Sequence, residues 1–147
     1  MPADDRIYPI RPICGVGVVA FSGDQVLLVQ RGKEPRRGEW SIPGGAVELG
    51  ETVREAALRE FSEECGGEVE LRDVLDAVDA ITYDETGRVQ YHYVIIDFWG
   101  EWQGGTLRAQ SDIMDARWVV SGDLDSYALQ RWTREVIDKA IVARGRG

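Results

Sequence analysis

The sequence is poor in cysteine and histidine: Cys14 and Cys65 are its two thiols and His92 its one imidazole among 147 residues. Two cysteines make no disulfide framework, so reduced thiols in a cytoplasmic protein are expected. A lone histidine inside a strand-like run is expected to be a packed or surface residue rather than a catalyst. Positive charge is scarce too. With 17 Lys and Arg against 26 Asp and Glu, the net charge is −9, and a protein that tracks a nucleic-acid backbone needs a basic face. A nucleic-acid partner is therefore not expected, whereas a small anionic substrate remains compatible if a bound metal reverses the local field. No apolar run approaches the roughly 18 residues of a membrane span. The opening Met1-Pro2-Ala3-Asp4-Asp5 has neither a basic segment nor an apolar one, so no signal peptide is expected. Internal repeats and low-complexity tracts are also missing.

What remains is an ordinary folding composition. Hydrophobic residues make up 44% of the chain, too many for a disordered segment, and the length suits one domain with its own core. The expectation is a single domain over residues 1–147, with residues 1–10 as an N-terminal arm.

The informative stretch runs from Gly44 to Gly67. Glu60, Glu63 and Glu64 stand at i, i+3 and i+4, which puts them within roughly a 100° arc of one helical face. Like charges at that spacing repel by a few tenths of a kcal/mol per pair. A sequence shaped for stability alone would place Lys opposite Glu, whereas a hard divalent ion makes crowded carboxylates reasonable. Mg²⁺ takes carboxylate oxygens and keeps waters and substrate phosphates as its other ligands. Thr52 and Glu55 fit a capping box that starts the helix near Thr52, and Ala57, Leu58, Phe61 and Cys65 form an apolar stripe beside the acids. Ahead of it, Trp40-Ser41-Ile42-Pro43-Gly44-Gly45 leads a strand-like segment into a tight turn, where the two glycines permit close approach.

Elsewhere, Arg11 to Phe21 and Gln25 to Gln30 read as a hairpin joined at Ser22-Gly23-Asp24, apolar enough for a sheet covered on both faces. Residues 68–83 alternate loosely as one or two strands. Asp84 to Gly87 is a turn, and Tyr91 to Trp99 is the most β-prone run, expected at the sheet centre. Gly100 to Met114 reads as a mobile loop, followed by a strand from Asp115, a helical turn at Gly122-Asp123-Leu124, and an amphipathic helix over Leu129 to Ala143. Between Gly32 and Glu39 lies a basic loop, with Lys33, Arg36 and Arg37.

Gly45, Glu51, Arg59, Glu60, Phe61, Glu63, Glu64 and Gly66 together resemble the signature box of the Nudix hydrolases, the MutT-like family. Phe61 and Gly67 depart from the usual pattern, and neither touches a carboxylate. The resemblance implies an α/β fold, an α/β/α sandwich around a mixed central sheet. It implies a Mg²⁺-dependent pyrophosphohydrolase, with Mn²⁺ as an alternative ion, acting on a nucleoside diphosphate linked to another group. ADP-ribose or a related nucleotide sugar is the first choice of substrate. A nucleoside triphosphate hydrolase and a non-catalytic nucleotide-binding module are the alternatives, and a homodimer is common among relatives.

On that footing Glu60, Glu63 and Glu64, with the unshielded backbone carbonyl of Gly44, form the expected metal site. Arg59 is expected to orient a box glutamate, and Glu51, Gly45 and Gly66 to buttress the box. Glu63 or Glu64 serves as base. Family members often bring a further acid from a late loop, for which Asp112 is favoured over Asp115 and Glu101. Arg31, Arg36 and Arg37 would form a cationic lip for substrate phosphate, and Trp40 a base-stacking or packing residue.

Overall fold

The structure, a computed structural model, describes residues 5–146. The first strand, β1 (Ile13–Ser22), turns at Gly23 into β2 (Gln25–Arg31). Two short strands follow, β3 (Trp40–Ser41) and β4 (Gly44–Ala46), then helix α1 (Val53–Cys65). A long hairpin of β5 (Gly67–Tyr83) and β6 (Val89–Gly105) leads to β7 (Ile113–Val120), a 3-10 turn over Ser121–Tyr127 and helix α2 (Arg131–Arg146). All seven strands join one sheet with the path β3-β2-β1-β6-β5. β4 is added on β1, and β7 on β2. The β1–β6 pair is parallel and the others are antiparallel, so the sheet is mixed.

Each face of the sheet is covered by one helix, which is why β1 and β2 are apolar without alternation. On one face Val16, Val18, Ala20 and Leu27 pack with Phe98 against Ala56, Ala57, Phe61 and Cys65 of α1. On the other, Val19, Phe21, Val26, Leu28 and Trp99 pack against Val136, Ile137 and Ala140 of α2. The arrangement is the α/β/α sandwich expected. No helix among the described residues is long and apolar enough to cross a membrane.

The capping box forms as the sequence predicts. Thr52 Oγ1 accepts from the Glu55 amide at 3.1 Å, and the Glu55 carboxylate accepts from the Thr52 amide at 3.0 Å. At the other end Gly66 closes α1 in the left-handed region, with φ +76° and its amide on Ser62 O at 3.0 Å.

Two expectations need correction, and a third is resolved between its alternatives. Gly100 to Met114 is a mobile loop only in part, because β6 continues to Gly105 and β7 begins at Ile113. Trp102 holds this extension in place by packing edge-on against Phe61 and Trp118, with ring centroids 6.0 and 5.3 Å apart. Leu58 is exposed and does not belong to the buried stripe, while Ala56 does. The loose alternation of residues 68–83 is one strand with several register shifts against β6, each of which resets the side-chain parity.

Residues 1–4 of the expected arm lie outside the described residues. Beyond them the chain is tied to the β5–β6 turn. The Tyr8 amide donates to Gln90 O at 2.8 Å and its hydroxyl to Asp84 at 2.7 Å, with Arg88 stacked over its ring.

Replacing Thr52 with Ala removes the reciprocal cap and should cost about 1 kcal/mol. Urea unfolding should show a lower midpoint with an unchanged slope. An unchanged midpoint would mean that the cap contributes nothing.

Candidate functional site

Helix α1 carries the site because of where its acids fall around the axis. At about 100° per residue, Glu64 and Glu60 lie roughly 20° and 60° to one side of Ala57, inside the arc bounded by Ala56 and Cys65. They are therefore drawn toward the sheet with the apolar residues. Glu63 and Leu58 fall outside that arc and face outward, and the Glu63 side chain is 51% exposed.

Arg59, expected to orient a box glutamate, contacts three of them from the same helix. Arg59 Nε and Nη2 grip Glu51 at 2.6 and 2.9 Å, and Nη2 also donates to Ala46 O at 3.0 Å. Its Nη1 reaches Glu60 at 2.8 Å and Glu63 at 3.3 Å. One guanidinium thereby ties the β4–α1 loop to the helix and leaves Glu64 outside the network. These bonds hold the Glu51 carboxyl down to about 2, with a Glu48 amide hydrogen bond adding to the effect, and they push Arg59 further toward its charged form.

Glu60 and Glu64 behave oppositely to Glu51. Burial raises the Glu60 carboxyl despite its contact with Arg59. Burial pushes Glu64 up to about 8, although Gly44 N–H donates to its Oε1 at 2.8 Å and Arg31 attracts it. The close approach of β4 to this helix explains the box glycine: a methyl group on Gly45 would collide with the Glu60 carboxyl.

Both acids line a cavity of about 470 Å³, large enough for a nucleotide-sized ligand. Gly44 and Gly45 line it beside them, Arg31 from the end of β2, Lys33 and Arg36 from the basic loop, and Asp112 from the loop before β7. The two loops are joined, with Gly32 N–H donating to Asp112 O at 2.7 Å and Lys33 Nζ lying 3.4 Å from the Asp112 carboxylate.

The other sequence candidates stand elsewhere. Glu63, Arg37 and Trp40 do not line this cavity. Trp40 sits edge-on against Tyr127 at 5.1 Å, under Arg117. Asp115 pairs with Arg117 at 3.1 Å, and Glu101 with Arg144 at 2.7 Å. Asp97 of β6 and Trp132 of α2 line the cavity but were absent from the sequence candidates. Asp97 had a legible signal, a lone acid within the apolar run Tyr93 to Trp99. Trp132 had none, because it fits the amphipathic pattern of its helix.

Among the described residues, no three Asp, Glu, His or Cys side chains are gathered at metal-binding spacing. The donors that face the cavity still fit a hard divalent ion. Glu60 and Glu64 offer carboxylate oxygens whose charge burial penalises, and a cation would relieve that penalty.

The family model for the NUDIX domain matches residues 12–140. Over 123 residues the chain is 32% identical to the ADP-ribose pyrophosphatase of Methanocaldococcus jannaschii, covering 84% of this chain and 70% of that protein. It is 32% identical over 126 residues to the 8-oxo-dGDP phosphatase of Mus musculus, covering 80% of this chain and 36% of that one. The chain thus spans about a third of the length of the animal relatives it matches. A crystal structure of a MutT NUDIX hydrolase from Burkholderia pseudomallei superposes with a TM-score of 0.76 at 28% identity, covering 88% of this chain and 98% of that one.

The raised carboxyl of Glu64 makes stability depend on pH. The folded protein retains a proton that the unfolded chain releases above the usual carboxylate range, so the stabilisation is complete below about pH 4.5 and lost as pH rises through about 8. In the absence of metal, Tm should fall across that window. Glu64→Gln should flatten the fall and raise Tm at pH 8, leaving a smaller slope from Asp97, which burial raises to about 7. Parallel profiles for the two proteins would contradict this.

Proposed function

This chain belongs to the Nudix hydrolase family, and on that premise we propose that it hydrolyses the diphosphate of a nucleoside diphosphate linked to a second group, ADP-ribose or a related nucleotide sugar, with Mg²⁺ or Mn²⁺ held at Glu60 and Glu64. The observation that carries the reading is the meeting of the half-buried Glu60 and Glu64 carboxylates with the cationic side chains of Arg31, Lys33 and Arg36 in one cavity. A phosphoanhydride resists water because its oxygens repel a nucleophile. Its cleavage needs charge neutralisation and an aligned water.

Each part of the cavity has a task in that reaction. Arg31, Lys33 and Arg36 draw the non-bridging oxygens and fix the diphosphate against the α1 acids. When bound, the cation supplies further charge neutralisation and acidifies water. Glu64, on the cavity wall and outside the Arg59 network, is the first candidate to take a proton from the attacking water. Glu63, exposed and paired with Arg59, is the second candidate for that role. Arg59 and Glu51 keep the loop and helix in register, so their contribution is positional. Asp112 closes the rim through Lys33.

The archaeal relative's name supports ADP-ribose as substrate. The mouse relative's name, at the same identity, supports an oxidised nucleoside diphosphate as the second reading. Both present a diphosphate beside a purine nucleoside. The free thiols Cys14 and Cys65 suit the reducing cytoplasm.

Purified Glu64→Gln should lose at least about a hundredfold in kcat on ADP-ribose with Mg²⁺, the scale of a missing proton acceptor, while its circular dichroism matches wild type. Hydrolysis at the wild-type rate would remove Glu64 from the site. In a panel containing ADP-ribose and 8-oxo-dGDP, the higher kcat/KM should belong to ADP-ribose, and the reverse order would establish the second reading.

A further inference from the structure

We propose that the inner end of the cavity is a purine pocket in which the Asp97 carboxyl accepts a hydrogen bond from an amino group of the base. The inference rests on the nucleotide-hydrolase reading and adds the residue that selects the base.

Among the described residues, Asp97 and Thr133 are the two buried polar or charged residues, at 1% and 2% exposure, and both line this cavity. Asp97 stands in the middle of β6, where an apolar residue would pack at no cost. A buried carboxyl kept in such a strand is disfavoured unless something bonds to it. Its charged neighbours do not meet that need. Asp76 faces it across the β5–β6 pair and repels it, and Lys139 of α2 attracts it but bonds to Asp76 instead.

The backbone around Asp97 is shaped to leave room on the α2 side. Gly17 is its partner in the parallel β1–β6 register, and a methyl at Gly17 would strike the Asp97 carboxyl and lie 3.0 Å from Ile42. Gly15 lines the same cavity two residues earlier on β1, and side chains two apart share a face. The strand therefore leaves a side-chain-free stretch of floor at Gly15, while the space over Gly17 holds the Asp97 carboxyl and Ile42. Tyr93 and Ile95 continue the floor along β6, and Trp132 of α2 lies across the cavity. A slot walled by Tyr93, Ile95 and Trp132, with the Asp97 carboxyl and the Thr133 hydroxyl as its buried polar groups, fits an aromatic base. The carboxyl keeps an acceptor oxygen in either protonation state, so it reads an N–H donor in both.

The test is isothermal titration in EDTA with three nucleotides: AMP, GMP and purine riboside 5′-monophosphate, which has no amino group and no ring N–H on its six-membered ring. Wild-type protein should bind AMP or GMP at least tenfold more tightly than the purine riboside nucleotide. Asp97→Leu, checked for its fold by circular dichroism, should erase that preference and leave purine riboside binding within twofold of wild type. Equal wild-type affinities, no binding of any of the three, or a preference that survives in Asp97→Leu would each overturn the proposal. The wild-type comparison needs no variant to fold. Because neither metal nor turnover is involved, an active hydrolase can fail this test and an inactive protein can pass it.

Discussion

The guanidinium of Arg59 is the constraint on which the site depends. Helix α1 turns Glu60 and Glu64 toward the sheet, where burial raises both carboxyls. A helix that buries two acids and carries a third beside them would be strained by repulsion. Arg59 removes part of that strain. It holds Glu51 with two hydrogen bonds, reaches Glu60 and Glu63 with Nη1, and anchors on Ala46 O. Its hydrogen bonds run away from Glu64, which keeps a carboxyl pushed up to about 8 on the cavity wall. Neutralisation is thus uneven: the loop and helix are fixed by Arg59, and Glu64 on the cavity wall takes no bond from it.

The sheet prepares the opposite wall. β4 lies against β1 through Gly44, Gly45 and Ala46, close enough that a methyl on Gly44 would strike Val16 O. This contact brings the Gly44 amide to Glu64 and leaves no side chain between strand and helix. The basic loop from Gly32 is drawn over the cavity by its bond to Asp112 O, so its cations and the acids share one volume. Packing and electrostatics converge on the same few residues, and core substitutions around Phe61 or Ala56 are bound to disturb the site.

Much of this was readable from local pattern. The capping box, the spacing of the box residues, the two doubly covered strands and the two helices all depend on short-range rules, and they stand where those rules put them. The readings that needed revision depend on contacts distant in sequence. Leu58 looks like part of the stripe until the whole helix is docked and the buried arc is seen to run through Glu60 and Glu64. The glycines and polar residues of 100–105 look like a loop because the sequence does not show Trp102 packed on Phe61 and Trp118. By contrast, Trp40 takes the packing role among the two read for it, with its ring against Tyr127. The role of Arg59 toward Glu60 needed only the helix, whereas its grip on Glu51 and Ala46 needed the turn of the loop.

The central claim is that Glu60 and Glu64 draw a divalent cation into this cavity. Paramagnetic broadening in a ¹⁵N–¹H spectrum, with substoichiometric Mn²⁺ added to the wild-type protein, tests it most directly. The account predicts that the amides of Gly44 to Ala46 and of Glu60 to Cys65 broaden first. Earlier loss of signals around exposed acids such as Glu135 and Asp138 on α2, with the box amides still sharp, would contradict it.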